Sequence, residues 1–295
     1  MARTQALALL LIAALLPAAA LPIAPHGPSD SRVDPRGGAA LVHRAATAGR
    51  EDAPLDVAFG FDFLHLVQEW PGSFCDSKQG CVWPTDQPVL GWLLHGLWPE
   101  FNNGTWPQYC DAAAPFNASA LTDLLPELEA YWPSLMSKDF PAFWAHEWTR
   151  HGTCCEALTP QEHGYFALVL HLRETFDAFA ILDAAGIHPG MNTTLGAVQG
   201  AIRATTGVAV EVGCNRAKDG TIQLYEIRAC FAPMPSAKAG TPPASLVKAL
   251  DCAKAADVSS CGGPHTPIHL PMFPHAAPVR PKARAQRALA AVAAK

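Results

Sequence analysis

After its first residues the chain has no apolar run long enough to cross a bilayer. The only candidate, MARTQALALLLIAALLPAAALP, loses its apolar character near Leu16, short of the roughly 20 residues a membrane helix needs. No cysteines are spaced C-x-x-C, so a zinc knuckle is excluded. The metalloprotease helix H-E-x-x-H is also missing, internal repeats are absent, and strands and helices do not alternate as in a parallel βαβ fold. Charged residues are sparse, at 16%. They are also uneven. Residues 1–53 carry +1 and residues 273–295 carry +5, so residues 54–272 hold −11 of a total of −5. A body that acidic cannot grip nucleic acid through a broad basic face, and any polyanion must be held by a few local cations.

What is present begins with an export signal. Arg3, an apolar run and small residues ending at Ala20 read as a secretory signal peptide over 1–20. No membrane anchor is expected. Residues 21–53, rich in Ala, Pro, Gly and Arg, read as a flexible leader or propeptide. The folded domain is placed at 54–272, and 273–295 reads as a basic, Ala-rich tail. Export makes the nine cysteines a disulfide framework with at least one thiol left over. Asn103, Asn117 and Asn192 head glycosylation sequons.

Within the domain, VAFGFDFLHLVQEW (57–70) alternates and reads as a long buried strand, followed by PGSFCDSKQGC as a loop. VLGWLLHGLWP (89–99) reads as a second strand. SALTDLLPELEAYWP predicts a helix capped by Ser119. Pro141 opens another that includes His146 and His151. TPQEHGYFALVLHLRETFDAFAIL predicts a helix capped by Thr159. NTTLGAVQGAIRATTG predicts one stopped at Gly207, and VAVEVGC and TIQLYEIRACF form a hairpin. Residues 233–280 read as loops. The class is α+β.

The chemistry concentrates in FWAHEWTRHGTCC (143–155). His146 and His151 are five apart, about 140° around a helix axis, which is poor for one metal ion. The four-residue spacings pair Glu147 with His151 and His146 with Arg150, about 40° apart. A carboxylate beside a histidine raises its proton affinity, and a histidine beside an arginine suits a phosphate. In-line transfer from a 2′-hydroxyl needs a base and an acid. The second group is His95 in HGLWPE, at the end of an apolar strand beside Trp98. His65, His163, His171 and His188 read as structural.

The segments LLHGLWPE and FWAHEWTRHGTC resemble the two active-site segments of the T2 ribonucleases. The resemblance runs from about Phe61 to Cys261, through FDFLHLVQEWPGSFCDSKQGC, NNGTWPQYC, AILDAAGIHP and IQLYEIRAC, and is nearest to plant S-like members. It implies a fold with a central antiparallel sheet flanked by helices and held by disulfides. It implies a metal-independent, cofactor-free endoribonuclease on single-stranded RNA, forming 2′,3′-cyclic phosphates and then 3′-phosphates, with DNA left uncut. Under it, His95 is the general acid and His151 the general base. Glu147 and Arg150 steady the phosphorane, and His146 binds phosphate. Trp98 serves one base site, and Gln68 and Phe143 the other. Arg150 replaces the usual lysine. The implied disulfides are Cys75–Cys81, Cys110–Cys154, Cys214–Cys261 and Cys230–Cys252, the last two exchangeable. A further plant bridge is missing at both ends, with Val82 at its first position, and Cys155 is left unpaired. A monomer is expected, either extracellular or in a vacuole or lysosome. The alternative is a storage or recognition protein that keeps the fold without the chemistry.

Overall fold

A computed structural model describes residues 59–82, 89–234, 241–254, 260–273 and 277–278. The predicted signal, leader and nearly all of the basic tail lie outside the described residues.

The core is a seven-stranded sheet. Its strands are β1 (Phe63–Glu69), β3 (Leu93–Glu100), β4 (Met191–Thr194), β5 (Glu211–Arg216), β6 (Ile222–Pro233), β7 (Val247–Leu250) and β8 (Pro267–Leu270). The order is β3-β1-β6-β8-β4, with β5 and β7 also paired to β6. All pairings are antiparallel except a single parallel register between β6 and β8 at Gln223 and His269. The sheet is therefore mixed at that one point. The two-residue strands β2 (Val89–Leu90) and β9 (Ala277–Pro278) form a separate parallel pair.

β1, between β3 and β6, is buried on both faces. Leu64, Leu66 and Trp70 enter the main core, and His65 and Glu69 lie on the other face. The predicted long strand starts later, at Phe63. The second predicted strand is split at Gly91 and Trp92 into β2 and β3. Helices pack on the core face. α3 (Phe140–Arg150) and α4 (Glu162–Thr175) send Trp144, Trp148, Tyr165 and Phe166 inward. Each buried indole N–H among these finds an acceptor: Trp144 donates to the Trp132 carbonyl at 2.8 Å and Trp148 to that of Ala114 at 2.9 Å.

Several boundaries differ from the sequence reading for local reasons. PGSFCD is a short helix, α1 (Pro71–Asp76), opened by the fixed φ of Pro71. Its buried Ser73 donates to the Leu224 carbonyl at 2.6 Å. The SALTDLLPELEAY segment breaks into a 3-10 turn (Ala118–Leu121) and α2 (Leu125–Tyr131), and Asn117, not Ser119, caps the turn. α4 starts after Gln161, because Thr159 folds its hydroxyl back onto the Cys155 carbonyl at 3.3 Å. It ends at Thr175, and Asp177 caps a separate α5 (Ala178–Ala184). α6 (Leu195–Thr206) is capped by Thr194 and stopped by Gly207 at φ +79°, a conformation open to glycine. Asn192 of the third sequon thus lies on β4. Residues 233–280, read as loops, contribute β7 and β8.

The disulfides are Cys75–Cys81, Cys110–Cys154, Cys214–Cys261 and Cys230–Cys252. Cys155 is free and fully buried, its thiol 3.6 Å from the His151 carbonyl. Burial alone pushes its pKa up, so it is an inert core group. Among the described residues no helix is long and apolar enough to cross a membrane.

Candidate active site

The site forms where α3 crosses β3. Asp139 caps α3, its carboxylate accepting from the Ala142 N–H at 3.0 Å, with Pro141 in the first turn. Trp144, Glu147 and Trp148 form the buried stripe, which brings a carboxylate against the strand. Gly96 makes room for it: a Cβ at that position would collide with the Glu147 carboxylate and the Trp98 indole. His151 ends α3 at φ −114°. Cys154, three residues on, is tied to Cys110.

His95 owes its direction to a bulge. Val67 faces Gly96 while Gln68 faces Leu94, so His95 is an extra residue on β3. A bulge re-aims its side chain away from the ladder. Trp132 donates to the His95 carbonyl at 2.9 Å, using an acceptor that the ladder leaves open.

Trp98 organises the rest. Its ring stacks on His151 at 5.4 Å and meets His95 edge-on at 5.0 Å. Its indole N–H donates to Glu147 Oε2 at 3.1 Å. His95, Trp98, His146, Glu147, Arg150 and His151 line one cavity of about 280 Å³, together with Glu100 and Trp106. The pairing of Glu147 with His151 predicted from helical spacing does not form. The carboxylate is taken by Trp98, and His151 has already left the helix, with its buried Nδ1 unpartnered. His146 and Arg150 share the cavity without a mutual hydrogen bond.

Gln68 and Phe143 separate. Gln68 is fully buried, and its amide donates to the Phe176 carbonyl at 2.6 Å. The alternation of β1 turns it into the core, so it does not line the cavity. Phe143 is half-buried, its ring 6.4 Å from that of His95. The sequons at Asn103 and Asn117 are exposed turns in which the asparagine oxygen accepts from the residue two positions on. Asn192 is exposed and hydrogen-bonded to His269.

The electrostatics divide the two histidines. Burial disfavours a charged His95, but the carboxylates of Glu69 and Glu226 outweigh it and raise its pKa to about 9. Glu226 Oε1 lies 3.0 Å from His95 Nδ1, while its Oε2 accepts from Arg228 at 2.6 Å. His151 goes the other way. Burial, then the positive charges of Arg150, His146 and His95, lower it to about 3. Burial and Arg150 also lower His146. Glu147 is raised to about 7, mainly by burial, against the pull of His95 and the Trp98 N–H. Glu69 rises to about 7 for the same leading reason.

Among the described residues, two clusters have ligand atoms close enough for a metal ion: Glu69, His95 and Glu226, and His65 and Glu211 with Cys230 and Cys252. In the second the cysteines are spent on a disulfide. In the first, His95 Nδ1 is already engaged by Glu226.

Glu69, Glu226, Arg228 and Trp106 were missed in the sequence. The signal was there for three of them: charged residues inside the strands VQE and YEIRAC, where only a partner justifies the burial of charge.

A family model described as the Ribonuclease T2 family matches residues 61–238. Extracellular ribonuclease LE of Solanum lycopersicum is 40% identical over 180 residues, which is 60% of this chain and 78% of that protein. Ribonuclease T2 of Danio rerio is 39% identical over 173 residues, 57% of this chain and 68% of that protein. The crystal structure of RNase NT with 5′-AMP superimposes with a TM-score of 0.62 at 33% identity, covering 72% of this chain and 99% of that one. With three histidines, Glu147 and Arg150 around one cavity, on a fold shared with RNase NT, the chain belongs to the ribonuclease T2 family and is a T2-type endoribonuclease.

Proposed function

We propose that the protein cleaves single-stranded RNA without a metal, forming 2′,3′-cyclic phosphates and then 3′-phosphates. His151 is the general base for the 2′-hydroxyl and His95 the general acid for the leaving 5′-oxygen. The observation that carries this reading is the pair of imidazoles on either side of Trp98, with opposite proton affinities and one cavity. Between pH 3 and 9 one ring is neutral and the other charged, as concerted proton removal and delivery require. Below about pH 7 the Glu147 carboxyl is neutral and donates a hydrogen bond to a phosphorane oxygen, while Arg150 supplies the positive charge. His146 contacts an outer phosphate oxygen. Trp98 acts as the spacer between the two histidines, leaving Phe143 and the half-exposed Trp106 (49%) as surfaces for bases. DNA has no 2′-hydroxyl and is not cut. The four disulfides favour the secretory pathway, with an extracellular or vacuolar destination.

The test is cleavage of RNA and of single-stranded DNA by the oxidised protein in excess EDTA, from pH 4 to 8. RNA products with cyclic-phosphate ends are expected, and His95→Ala or His151→Ala should each lower kcat by about 10³-fold. Loss of cleavage in EDTA, or equal cleavage of DNA, overturns the reading. No cleavage of either substrate favours a storage or recognition protein on the same fold.

A further inference from the structure

A second cavity, of about 550 Å³, lies between the Cys75–Cys81 loop and the β5–β6 hairpin. Its lining includes Ser77, Lys78, Gln79, Arg216, Lys218 and Asp219. Lys78, Arg216 and Lys218 are exposed, and no ion pair engages them among the described residues. Arg216 donates to the Gly220 carbonyl at 3.1 Å, and the Asp219 carboxylate accepts from the Thr221 N–H at 2.9 Å. Three cations against one committed carboxylate form a positive groove on a domain that carries −11. Both walls are fixed. The Cys75–Cys81 disulfide closes one loop, and the Lys218 N–H donates to the Asp76 carbonyl at 3.1 Å, joining it to the hairpin.

The groove connects to the active site on the His95 side. Glu69, 3.8 Å from His95, accepts from the Tyr225 hydroxyl at 3.2 Å. The Tyr225 ring lies 6.3 Å from that of Phe74, and α1 leads from Phe74 to Ser77 in the groove. Both rings are half-buried. Along β6 the hairpin and Glu226 are about 20 Å apart, the reach of a few nucleotides.

We propose that this groove is a second RNA-binding site, holding the phosphate backbone 3′ of the scissile bond, with Tyr225 and Phe74 as the stacking surface between it and His95. The direction rests on the reading of His95 as the acid for the 5′-oxygen, because the strand that leaves begins at that oxygen. Bases stack on aromatic faces regardless of identity, and unpaired cations hold phosphates.

The test uses oligonucleotides of DNA with one ribonucleotide, so that one bond is cleavable: a two-nucleotide core, the core with six nucleotides added 3′, and the core with six added 5′. For the wild-type protein the 3′ extension should lower KM about tenfold. Lys78→Ala/Arg216→Ala/Lys218→Ala should lose that gain with kcat unchanged and with the core and the 5′-extended substrate unaffected. The slope of log(kcat/KM) against log salt on the 3′-extended substrate should fall by about 2, at roughly 0.7 for each phosphate contact. Lys78→Arg/Arg216→Lys should keep the gain, as should Lys248→Ala, an exposed cation on β7. An equal defect on core and extended substrates, or a wild-type gain from the 5′ extension only, overturns the groove. The all-DNA analogues, read by fluorescence anisotropy, separate the two ideas. If the wild type cuts nothing but still binds the 3′-extended analogue more tightly through these cations, the cleavage reading fails and the groove stands.

Discussion

Glu147 has its chemistry changed by its environment. A carboxyl on an exposed helix face would be ionised at neutral pH. Here it is pressed beneath β3 at Gly96, with one oxygen held by Trp98. Burial keeps it neutral up to about pH 7. If the neutral form donates to the phosphorane, kcat/KM falls as pH rises through about 7, before His95 loses its proton near 9. Glu147→Gln keeps a neutral donor at every pH. Its upper pH limb should therefore move from about 7 towards about 9, at a cost of about tenfold at the optimum, while the lower limb set by His151 stays. A pH–rate profile with an unmoved upper limb would sink the idea. That His95, Glu147 and His151 meet at one cavity was legible in the sequence, because two motifs carry them. Their pairing was not. Helical spacing joined Glu147 to His151, but the indole of Trp98, from another element, competes for the same carboxylate. Gln68 failed for the opposite reason: strand alternation, correctly applied to its neighbours Leu66 and Trp70, already placed it in the core.

At the scale of elements, the strand pairing of β1 with β3 and β6 sets up two charged groups on one sheet face. The first is the set around His95. The second is His65, buried between Glu100 at 3.5 Å and Glu211 at 3.4 Å. Burial opposes charge on His65, but the two glutamates prevail and its pKa is raised. Its folded pKa then lies above the unfolded value of about 6.5. The stabilisation is complete below pH 6.5 and is lost as pH rises through the folded value. His65→Leu should therefore lower unfolding stability by about 2 kcal/mol at pH 5 and by less at pH 9, measured by denaturant titration. A deficit that grows with pH would show that the ion pairs do not hold this face. The histidine's structural role was legible from its place in an apolar strand. Its partners were not, because Glu100 and Glu211 are distant in sequence and meet only through register. The helices were legible as apolar stripes, but their ends moved by a few residues wherever a side chain found a nearer acceptor, as Thr159 did. β7 and β8 were missed because four-residue strands among prolines carry little period.

Over the whole molecule the decisive quantity is charge, and it was readable without a structure. Residues 54–272 carry −11, so a long RNA approaches against a repulsive field and meets attraction at local cations such as Arg150, Lys78, Arg216 and Lys218. Lowering the pH neutralises carboxylates and charges exposed histidines, and the repulsion weakens with distance over a Debye length of about 10 Å at 0.1 M salt. The effect must grow with substrate length, since a dinucleotide presents one phosphate and a polymer many. KM for poly-ribonucleotides should then fall about tenfold between pH 7 and pH 5 at 50 mM salt, against less than about twofold for a dinucleoside monophosphate. In 0.5 M salt the two pH dependences should converge, because screening removes the long-range field and leaves only the titration of the site. Steady-state KM measured on both substrates at both salts separates the two contributions. Equal pH dependence for dinucleotide and polymer at low salt would place the whole effect in the catalytic cavity and none in the acidity of the body.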